Sequence, residues 1–183
     1  CGRIGCSQSV RAVRGKHRRW RNPALRLMAT PKWCWWLSGS VVALDQATKH
    51  LAETLLATHQ PVPVLPSFNL TLTYNTGAAF SFLAGADGWQ RWFFLGLGTA
   101  VSIGLIAWLW RLKPENSWLA VALALILAGA VGNLIDRAWL GQVIDFIQVY
   151  YDHWYFPVFN VADISINIGA ALLVMDSLLR RNA

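Results

Sequence analysis

The sequence predicts an α-helical integral membrane protein with four transmembrane helices and a small β-rich domain at the outer membrane surface. Composition is the first reason, because 55% of the 183 residues are hydrophobic and only 14% are charged, whereas soluble domains have about 25% charged residues. The second reason is the recurrence of four largely apolar segments, each near the ~20 residues that a helix needs to cross a bilayer. Together these features disfavour a disordered chain and an ordinary soluble enzyme.

The predicted spans are residues 33–56, 92–110, 117–135 and 158–179. The second and third are uncharged, whereas the first is uncharged only from Trp33 to Leu44 and the fourth is interrupted by Asp163 and Asp176. Every tryptophan except Trp20 lies at or near a span end, where an indole ring can sit partly in lipid and still reach water. No small-residue cleavage site follows the first run, so we interpret it as an uncleaved helix and not as a signal peptide.

Basic residues set the predicted orientation. Residues 1–27 carry eight Lys or Arg side chains and no acid, so the net charge of +7 is a property of this tail. If the chain crosses the membrane four times, the remaining basic residues near the span ends lie on the same side of the membrane as this tail: Lys32, Arg111, Lys113, Arg180 and Arg181. By the positive-inside rule this side is cytoplasmic, so both termini lie inside and segments 57–90 and 138–157 face outward. A basic tail before a hydrophobic body indicates retention or contact with anionic lipid, and nucleic-acid binding is disfavoured.

The chain divides into a basic tail, residues 1–32, and a membrane domain, residues 33–181. Because Met28 stands just before the first hydrophobic run, we expect the native protein to start there and residues 1–27 to be non-native. Three cysteines, two of them in the tail, give neither a disulfide framework nor a metal cluster. There is also no His-Glu-x-x-His motif, and we expect no cofactor and no metal.

A β-rich segment is predicted at about residues 61–80. Within it Phe68, Leu70, Leu72 and Tyr74 alternate with polar residues, the period-two pattern of a half-buried strand. Three prolines precede this run and exclude a helix there. The second outward segment, residues 138–157, is shorter.

Polar residues inside the predicted spans are costly and usually mark function. Asp45 and Lys49 are spaced i,i+4 with the acid first, which favours a structural ion pair. Asn133 and Arg137 share a helix face at the same spacing, and neighbouring glycines permit close helix approach. We expect Asn133 and Arg137 to have a structural or substrate-positioning role.

Asp145 and Asp163 have no such basic neighbour. Asp145 lies in an apolar stretch of the second outward segment, and Asp163 lies near the outer end of the fourth span. Two carboxyls in a low-dielectric site do not both ionise, so one can activate water while the other polarises a carbonyl. Spacing alone leaves open an aspartic protease, a proton relay and structural caps.

Five motifs in order resemble those of the bacterial lipoprotein signal peptidase (signal peptidase II) family. They are Asp45-Gln46-x-x-Lys49, Asn75-Thr76-Gly77-Ala78-Ala79-Phe80, Gly129-Ala130-x-Gly132-Asn133-Leu134-Ile135-Asp136-Arg137, Val143-Ile144-Asp145-Phe146 and Phe159-Asn160-Val161-Ala162-Asp163. The resemblance covers residues of about 33–180, essentially the whole membrane domain, and leaves out residues 1–27.

The resemblance implies a four-helix aspartic endopeptidase of the bacterial inner membrane. Such an enzyme removes the signal peptide from prolipoproteins that carry a diacylglyceryl group, by cutting before the lipidated cysteine. Asp145 and Asp163 match its catalytic aspartates. Site-supporting or substrate-binding positions are matched by Asp45, Lys49, Asn75, Gly77, Asn133, Arg137, Asn160 and Ala162. We further expect a monomer surrounded by membrane lipid, with its active site toward the periplasmic face.

Two other functions are compatible with polar residues inside membrane helices: transport and a non-catalytic scaffold. A transporter could use the same carboxylates as a proton or ion relay, but the acids cluster at one membrane face and no inverted repeat is visible. A non-catalytic scaffold could use the polar clusters as helix contacts. Substituting the aspartates by asparagine separates a peptidase from both alternatives.

Overall fold

The computed structural model describes residues 32–77, 88–112 and 116–181. Within these ranges lie four long helices: α1 is Lys32–Leu55, α2 is Trp89–Arg111, α3 is Ser117–Trp139 and α4 is Val161–Arg181. The basic tail, the start at Met28, Lys113 and residues 78–80 of the predicted β segment lie outside the described residues.

Three of the helices are long and apolar enough to cross a membrane: Trp89–Arg111, Ser117–Trp139 and Val161–Leu179. Helix α1 has 24 residues and so has the length, but it carries Asp45, Lys49 and Glu53 in its second half. The prediction of four spans is therefore met by length and apolar character in three helices. The remaining predicted span, residues 33–56, corresponds to α1, a helix of the right length whose charged residues reduce its apolar character.

Helix α3 is the centre of the bundle and packs against the other three helices. Small residues on it allow close approach, since a Cβ at Gly129 would collide with the carbonyl oxygen of Ala162 in α4. A Cβ at Gly132 would stand 2.6 Å from Asp45 Oδ2 in α1. Both glycines therefore bring α1 and α4 within hydrogen-bonding distance of polar groups on α3.

A four-stranded antiparallel sheet, in the order β1-β2-β3-β4, covers one end of this bundle. Its strands are β1 (Val62–Leu65), β2 (Phe68–Asn75), β3 (Val143–Tyr151) and β4 (Trp154–Tyr155). We call this the sheet end, where α1 and α3 finish and α2 and α4 begin. The opposite end, where α1 and α3 begin, is the far end.

Strand β2 has the bounds that the alternating pattern predicts. Strand β3 was not predicted: the second outward segment contains a nine-residue strand that pairs along β2. The pattern was obscured because Val143, Ile144, Asp145 and Phe146 are all buried, so this stretch shows no alternation of polar and apolar residues. Pairing places Thr73 opposite Asp145 and Asn75 opposite Val143.

Two apolar clusters stabilise the two ends. At the far end, buried Cys34 of α1, Leu109 of α2 and Leu123 and Leu127 of α3 form one cluster. At the sheet end, Ala52 of α1 packs against buried residues of β2 and β3, namely Leu72, Ile144 and Phe146. The second cluster attaches the sheet to α1 and leaves polar groups facing a cavity beside it.

Candidate active site

A cavity of about 600 Å³ lies between the sheet and the first turns of α4. Its lining combines both predicted acids with amides, a guanidinium and apolar side chains. The lining residues are His59, Thr73, Tyr74, Asn75, Asn133, Arg137, Val143, Asp145, Phe156, Pro157, Val158, Phe159, Asp163, Ile166 and Asn167. The fold thus brings together acids from β3 and α4 that are 18 positions apart in the chain.

Asp145 reaches the cavity from strand β3 and is only 2% exposed. Its Oδ1 accepts a hydrogen bond from Asn160 Nδ2 at 2.7 Å, and its Oδ2 accepts one from Asn75 Nδ2 at 3.2 Å. Burial, and then the nearby charge of Asp163, raises the pKa of Asp145 to about 7, against the opposing effect of the two amide donors. A carboxyl with this pKa is half protonated near neutral pH.

Asp163 reaches the same cavity from the third residue of α4. Its backbone N–H donates to Asn160 Oδ1 at 2.9 Å, and the Asn160 N–H donates back to Asp163 Oδ2 at 3.3 Å. This reciprocal pair is a capping box with asparagine as the N-cap. The structural-cap interpretation of Asp163 is therefore correct as geometry, and it does not exclude a chemical role because Oδ1 also faces Asn133.

Amide groups hold every carboxyl oxygen of the two acids. Asn133 Nδ2 donates to Asp163 Oδ1 at 2.8 Å, which completes one N–H donor for each of the four oxygens. Asn160 is fully buried and bridges the pair, since its Nδ2 also lies 3.2 Å from Asn133 Oδ1 and 3.2 Å from the Ile144 carbonyl oxygen. The two acids are thus fixed in position by three asparagines from three elements.

Behind Asn133 lies a buried ionic cluster of Asp45, Lys49 and Asp136. Lys49 Nζ lies 2.8 Å from Asp45 Oδ2, 2.7 Å from Asp136 Oδ2 and 3.0 Å from Asn133 Oδ1. An ammonium group has three N–H donors, so these contacts use all of them. Asp45 Oδ1 in turn accepts the Ala162 N–H at 2.8 Å, which ties α1 to the first turn of α4.

The predicted pair of Asp45 and Lys49 is therefore part of a larger cluster. Sequence reasoning did not assign Asp136 or Gln46 to the site. Gln46 Nε2 donates to Asp136 Oδ1 at 2.9 Å and lies within hydrogen-bond distance of the Gly132 carbonyl oxygen. The available signal was spacing, because Asp136 follows Asn133 by three residues and so lies on the same helix face.

Arg137 and Gly77 meet at the edge of the cavity. Arg137 Nη2 donates to the Gly77 carbonyl oxygen at 2.9 Å, and Nη1 lies 3.4 Å from the Asn133 carbonyl oxygen. The guanidinium also stands 5.0 Å from the ring centre of Phe94, within cation–π range. The Gly77 N–H donates to Asn75 Oδ1 at 3.0 Å, so this turn orients the amide that contacts Asp145.

The donors around the acids are amide and ammonium groups. Within residues 32–77, 88–112 and 116–181, no group of three or more His, Cys, Asp or Glu side chains is placed to hold a metal ion.

The fold and the site define a multi-pass helical membrane protein in which one buried carboxyl, Asp145, and one half-buried carboxyl, Asp163, line the same cavity beside the sheet. The chain belongs to the signal peptidase (SPase) II family, whose profile matches residues 37–179. This confirms the resemblance drawn from the five motifs. It identifies the chain as a peptidase, and hence a hydrolase, of the inner membrane, and it decides against the transporter and scaffold alternatives.

Individual relatives agree. A lipoprotein signal peptidase of Pseudomonas syringae pv. tomato is 53% identical over 143 residues, which are 77% of this chain and 83% of that protein. One from Pseudomonas aeruginosa is 51% identical over 143 residues, 77% of this chain and 85% of that protein. A bacterial membrane enzyme structure obtained by the in meso method at 2.3 Å resolution has a TM-score of 0.74 and 33% identity, covering 84% of this chain and 91% of that one.

Proposed function

We propose that this protein is a membrane aspartic endopeptidase that removes the signal peptide from diacylglyceryl-modified prolipoproteins by cutting before the lipidated cysteine. The observation that carries the proposal is the pair of carboxyls in one cavity, Asp145 and Asp163, each held at both oxygens by N–H donors. Relatives named lipoprotein signal peptidase support the substrate class.

The two aspartates take different roles because their surroundings differ. Asp163 lies in the first turn of a helix, where the aligned peptide dipoles favour a negative charge. Asp145 lies on a strand without that stabilisation, and burial raises its pKa to about 7, so it is the acid that can still carry a proton near neutral pH. We therefore assign Asp163 as the ionised general base and Asp145 as the neutral acid.

The reaction then proceeds in two proton-coupled steps. Asp163 takes a proton from water while the water oxygen bonds to the scissile carbonyl carbon, and Asp145 gives its proton to the carbonyl oxygen. In the resulting tetrahedral diol, Asp163 gives its proton to the departing amide nitrogen as the C–N bond breaks. One diol hydroxyl returns a proton to Asp145, which restores both acids and leaves a carboxylic acid and an amine.

The other matched residues support this arrangement. Asn75, Asn133 and Asn160 orient the two acids through their amides. Asp45 holds the backbone of Ala162 next to Asp163. Lys49 fixes Asn133, while Arg137 and Gly77 hold the turn beside the cavity, where an incoming peptide would lie.

The proposed setting is a membrane domain over residues 33–181 with a basic tail before it and the native start at Met28. We propose that α1 also spans the membrane, which makes four spans in total, that both termini are cytoplasmic and that the sheet end faces the periplasm. A substrate confined to the membrane by its lipid would then meet the acids near the interface, where water is available. We propose that the chain works as a monomer in lipid, without a cofactor.

The test is cleavage in vitro of a diacylglyceryl-modified prolipoprotein by the full chain in detergent micelles. Asp145→Asn and Asp163→Asn should each lower kcat by at least about 10³-fold, because neither amide can transfer the proton. Asp163→Asn keeps an oxygen for the capping box, so the protein should remain folded. Asp152→Asn, on the exposed turn between β3 and β4, is the control. Normal turnover in either dyad variant would refute the assignment of the dyad.

A further inference from the structure

The ionic cluster contains one residue whose contacts reach toward both acids. Asp136 is 3% exposed and accepts three hydrogen bonds: Oδ1 from Gln46 Nε2 at 2.9 Å, and Oδ2 from Lys49 Nζ at 2.7 Å and from the Ile144 N–H at 3.3 Å. Its partners come from α1 and β3, although Asp136 itself lies on α3. It therefore joins three elements at a buried point.

The first connection leads to Asp145. Ile144 precedes Asp145 on β3, and its N–H points to Asp136. The carbonyl oxygen of Ile144 lies 3.2 Å from Asn160 Nδ2, the same group that holds Asp145 Oδ1. The backbone beside Asp145 is thus fixed at one peptide group by Asp136 and at the next by Asn160, which sets how deeply the carboxyl enters the cavity.

The second connection leads to Asp163 through two intermediates. Asp136 holds Lys49, and Lys49 donates to Asn133 Oδ1 at 3.0 Å. That contact decides which side of the amide faces Lys49, so Asn133 Nδ2 is turned toward Asp163 Oδ1 at 2.8 Å. If the ammonium were displaced, the Asn133 amide could rotate and present an oxygen to a carboxylate.

We propose that Asp136 is a positioning residue for both aspartates: it aligns Asp145 through the Ile144 N–H and Asp163 through Lys49 and Asn133. The proposal rests on the proposed function and adds a residue to it. Asp136 does not line the main cavity, so it acts on the reaction only through these neighbours. One carboxylate thereby fixes the relative geometry of acids carried on a strand and on a helix.

Its charge matters as well as its shape. Around the dyad stand Asp45 and Lys49 from α1, Asp136 and Arg137 from α3, and His59 and Tyr74 at the cavity wall. Replacing Asp136 by asparagine removes one negative charge from this group. The ionised form of the dyad would then be favoured, and the pH profile of kcat should move to lower pH.

The experiment compares Asp136→Asn and Asp136→Glu with the wild type and with Asp152→Asn in the lipoprotein cleavage assay. Rates are normalised to active sites, titrated with a substrate peptide whose scissile amide is replaced by a non-cleavable hydroxyethylene group. This normalisation removes any loss of folded protein from kcat.

Asp136→Asn should lower kcat by about 10–100-fold. Its KM should change less than about twofold, because substrate does not touch Asp136. The alkaline limb of its kcat–pH profile should move to lower pH. Asp136→Glu keeps the charge but displaces it, so kcat should fall while the limb stays in place. If Asp136 had a purely structural role, the alkaline limb of the kcat–pH profile would stay in place in both variants.

The proposal is overturned if kcat per titrated site stays within about twofold of wild type in Asp136→Asn, or if kcat falls and the limb does not move. It is also overturned if neither variant gives titratable sites, because Asp136 would then serve folding alone. A wild type that does not cleave refutes the proposed function, whereas a wild type that cleaves beside unaffected Asp136 variants refutes only this inference.

Discussion

The two ends of the helix bundle are stabilised by different kinds of contact. At the far end, Cys34, Leu109 and Leu123 fill space with side chains that have no required orientation. At the sheet end, Lys49, Asn133 and Asn160 each make several hydrogen bonds in which every polar atom needs a particular partner. Close packing resists loss of volume, whereas a hydrogen-bond network also resists rotation of its groups.

The difference explains where the reactive acids lie. A carboxyl placed among the far-end residues would be buried without donors, at a cost of several kcal/mol. At the sheet end the N–H donors already stand in position, so Asp145 can be buried and Asp163 half-buried while both keep defined orientations. The sheet end, where hydrogen bonds orient the polar groups, is therefore where chemistry is possible. The apolar packing of the far end keeps the helices at the right separation.

Among substitutions that test this difference between the two ends, Lys49→Met should have the largest effect on stability and activity. The variant leaves Asp45 and Asp136 buried without their shared cation, which should lower the free energy of unfolding by about 3–5 kcal/mol. It should also lower kcat, because Asn133 loses the contact that orients it. Thermal unfolding in detergent and the cleavage assay measure the two effects.

The matched change at the far end is Leu123→Ala, which removes volume from a fully buried position. We expect a loss of about 2–5 kcal/mol, with kcat per folded molecule unchanged. A fall in kcat as large as that of Lys49→Met would show that the two ends are not separable in the way described.

An intermediate effect should come from pH. The pKa of Asp145 is raised from 3.8 to about 7, so between these values the folded chain keeps a proton that the unfolded chain has lost. The free energy of unfolding should therefore decrease as pH rises from about 4 to about 7, by at most about 4 kcal/mol. Comparing thermal unfolding of wild type and Asp145→Asn across this range isolates the contribution.

The sign is the informative part of that measurement. The Asp145→Asn curve should be flatter than the wild-type curve, and Leu123→Ala should lower the curve without changing its slope. Stability that rises with pH over this range, relative to the variant, would mean that the Asp145 carboxylate is stabilised rather than penalised by its surroundings.

The smallest effect is expected from removing a hydrogen bond at the edge of the sheet end. The Tyr74 hydroxyl donates to Glu53 Oε1 at 3.0 Å and joins β2 to α1. Because both groups are half-buried, Tyr74→Phe should cost only about 0.5–1.5 kcal/mol and leave kcat within about twofold of wild type. A larger loss of activity would extend the reactive part of the network to this contact, and steady-state kinetics would detect it.

Much of this architecture follows from local sequence patterns. Uncharged runs placed the helices to within a few residues, and period-two alternation gave the bounds of β2. Strand β3 was missed because its first four residues are all buried, so there was no polar face to reveal its period. Its existence depends on pairing with β2, which is distant in the chain.

The site was predictable as a set of residues but not as a set of contacts. The motifs identified Asp145, Asp163 and the asparagines as site residues. The i,i+4 spacing of Asp45 and Lys49, however, predicted an ion pair with no third partner. The third partner, Asp136, enters only when α3 packs against α1 at Gly132. Contacts between helices depend on rotation and depth, and the chain order of residues does not encode these directly.

The arrangement around α1 also bears on how the chain is assembled in the membrane. Helix α1 is synthesised before α3 and α4, and at that stage the side-chain partners that Asp45 and Lys49 have on the same helix are each other and, for Asp45, Gln46. A charged side chain costs about 2.5–3.5 kcal/mol to insert at the bilayer centre. The Asp136 and Asn133 contacts arrive with the third helix, and the Ala162 N–H arrives with the fourth. Among the four described helices, the first in chain order therefore completes its buried polar contacts only when the last one has been made and packs against it.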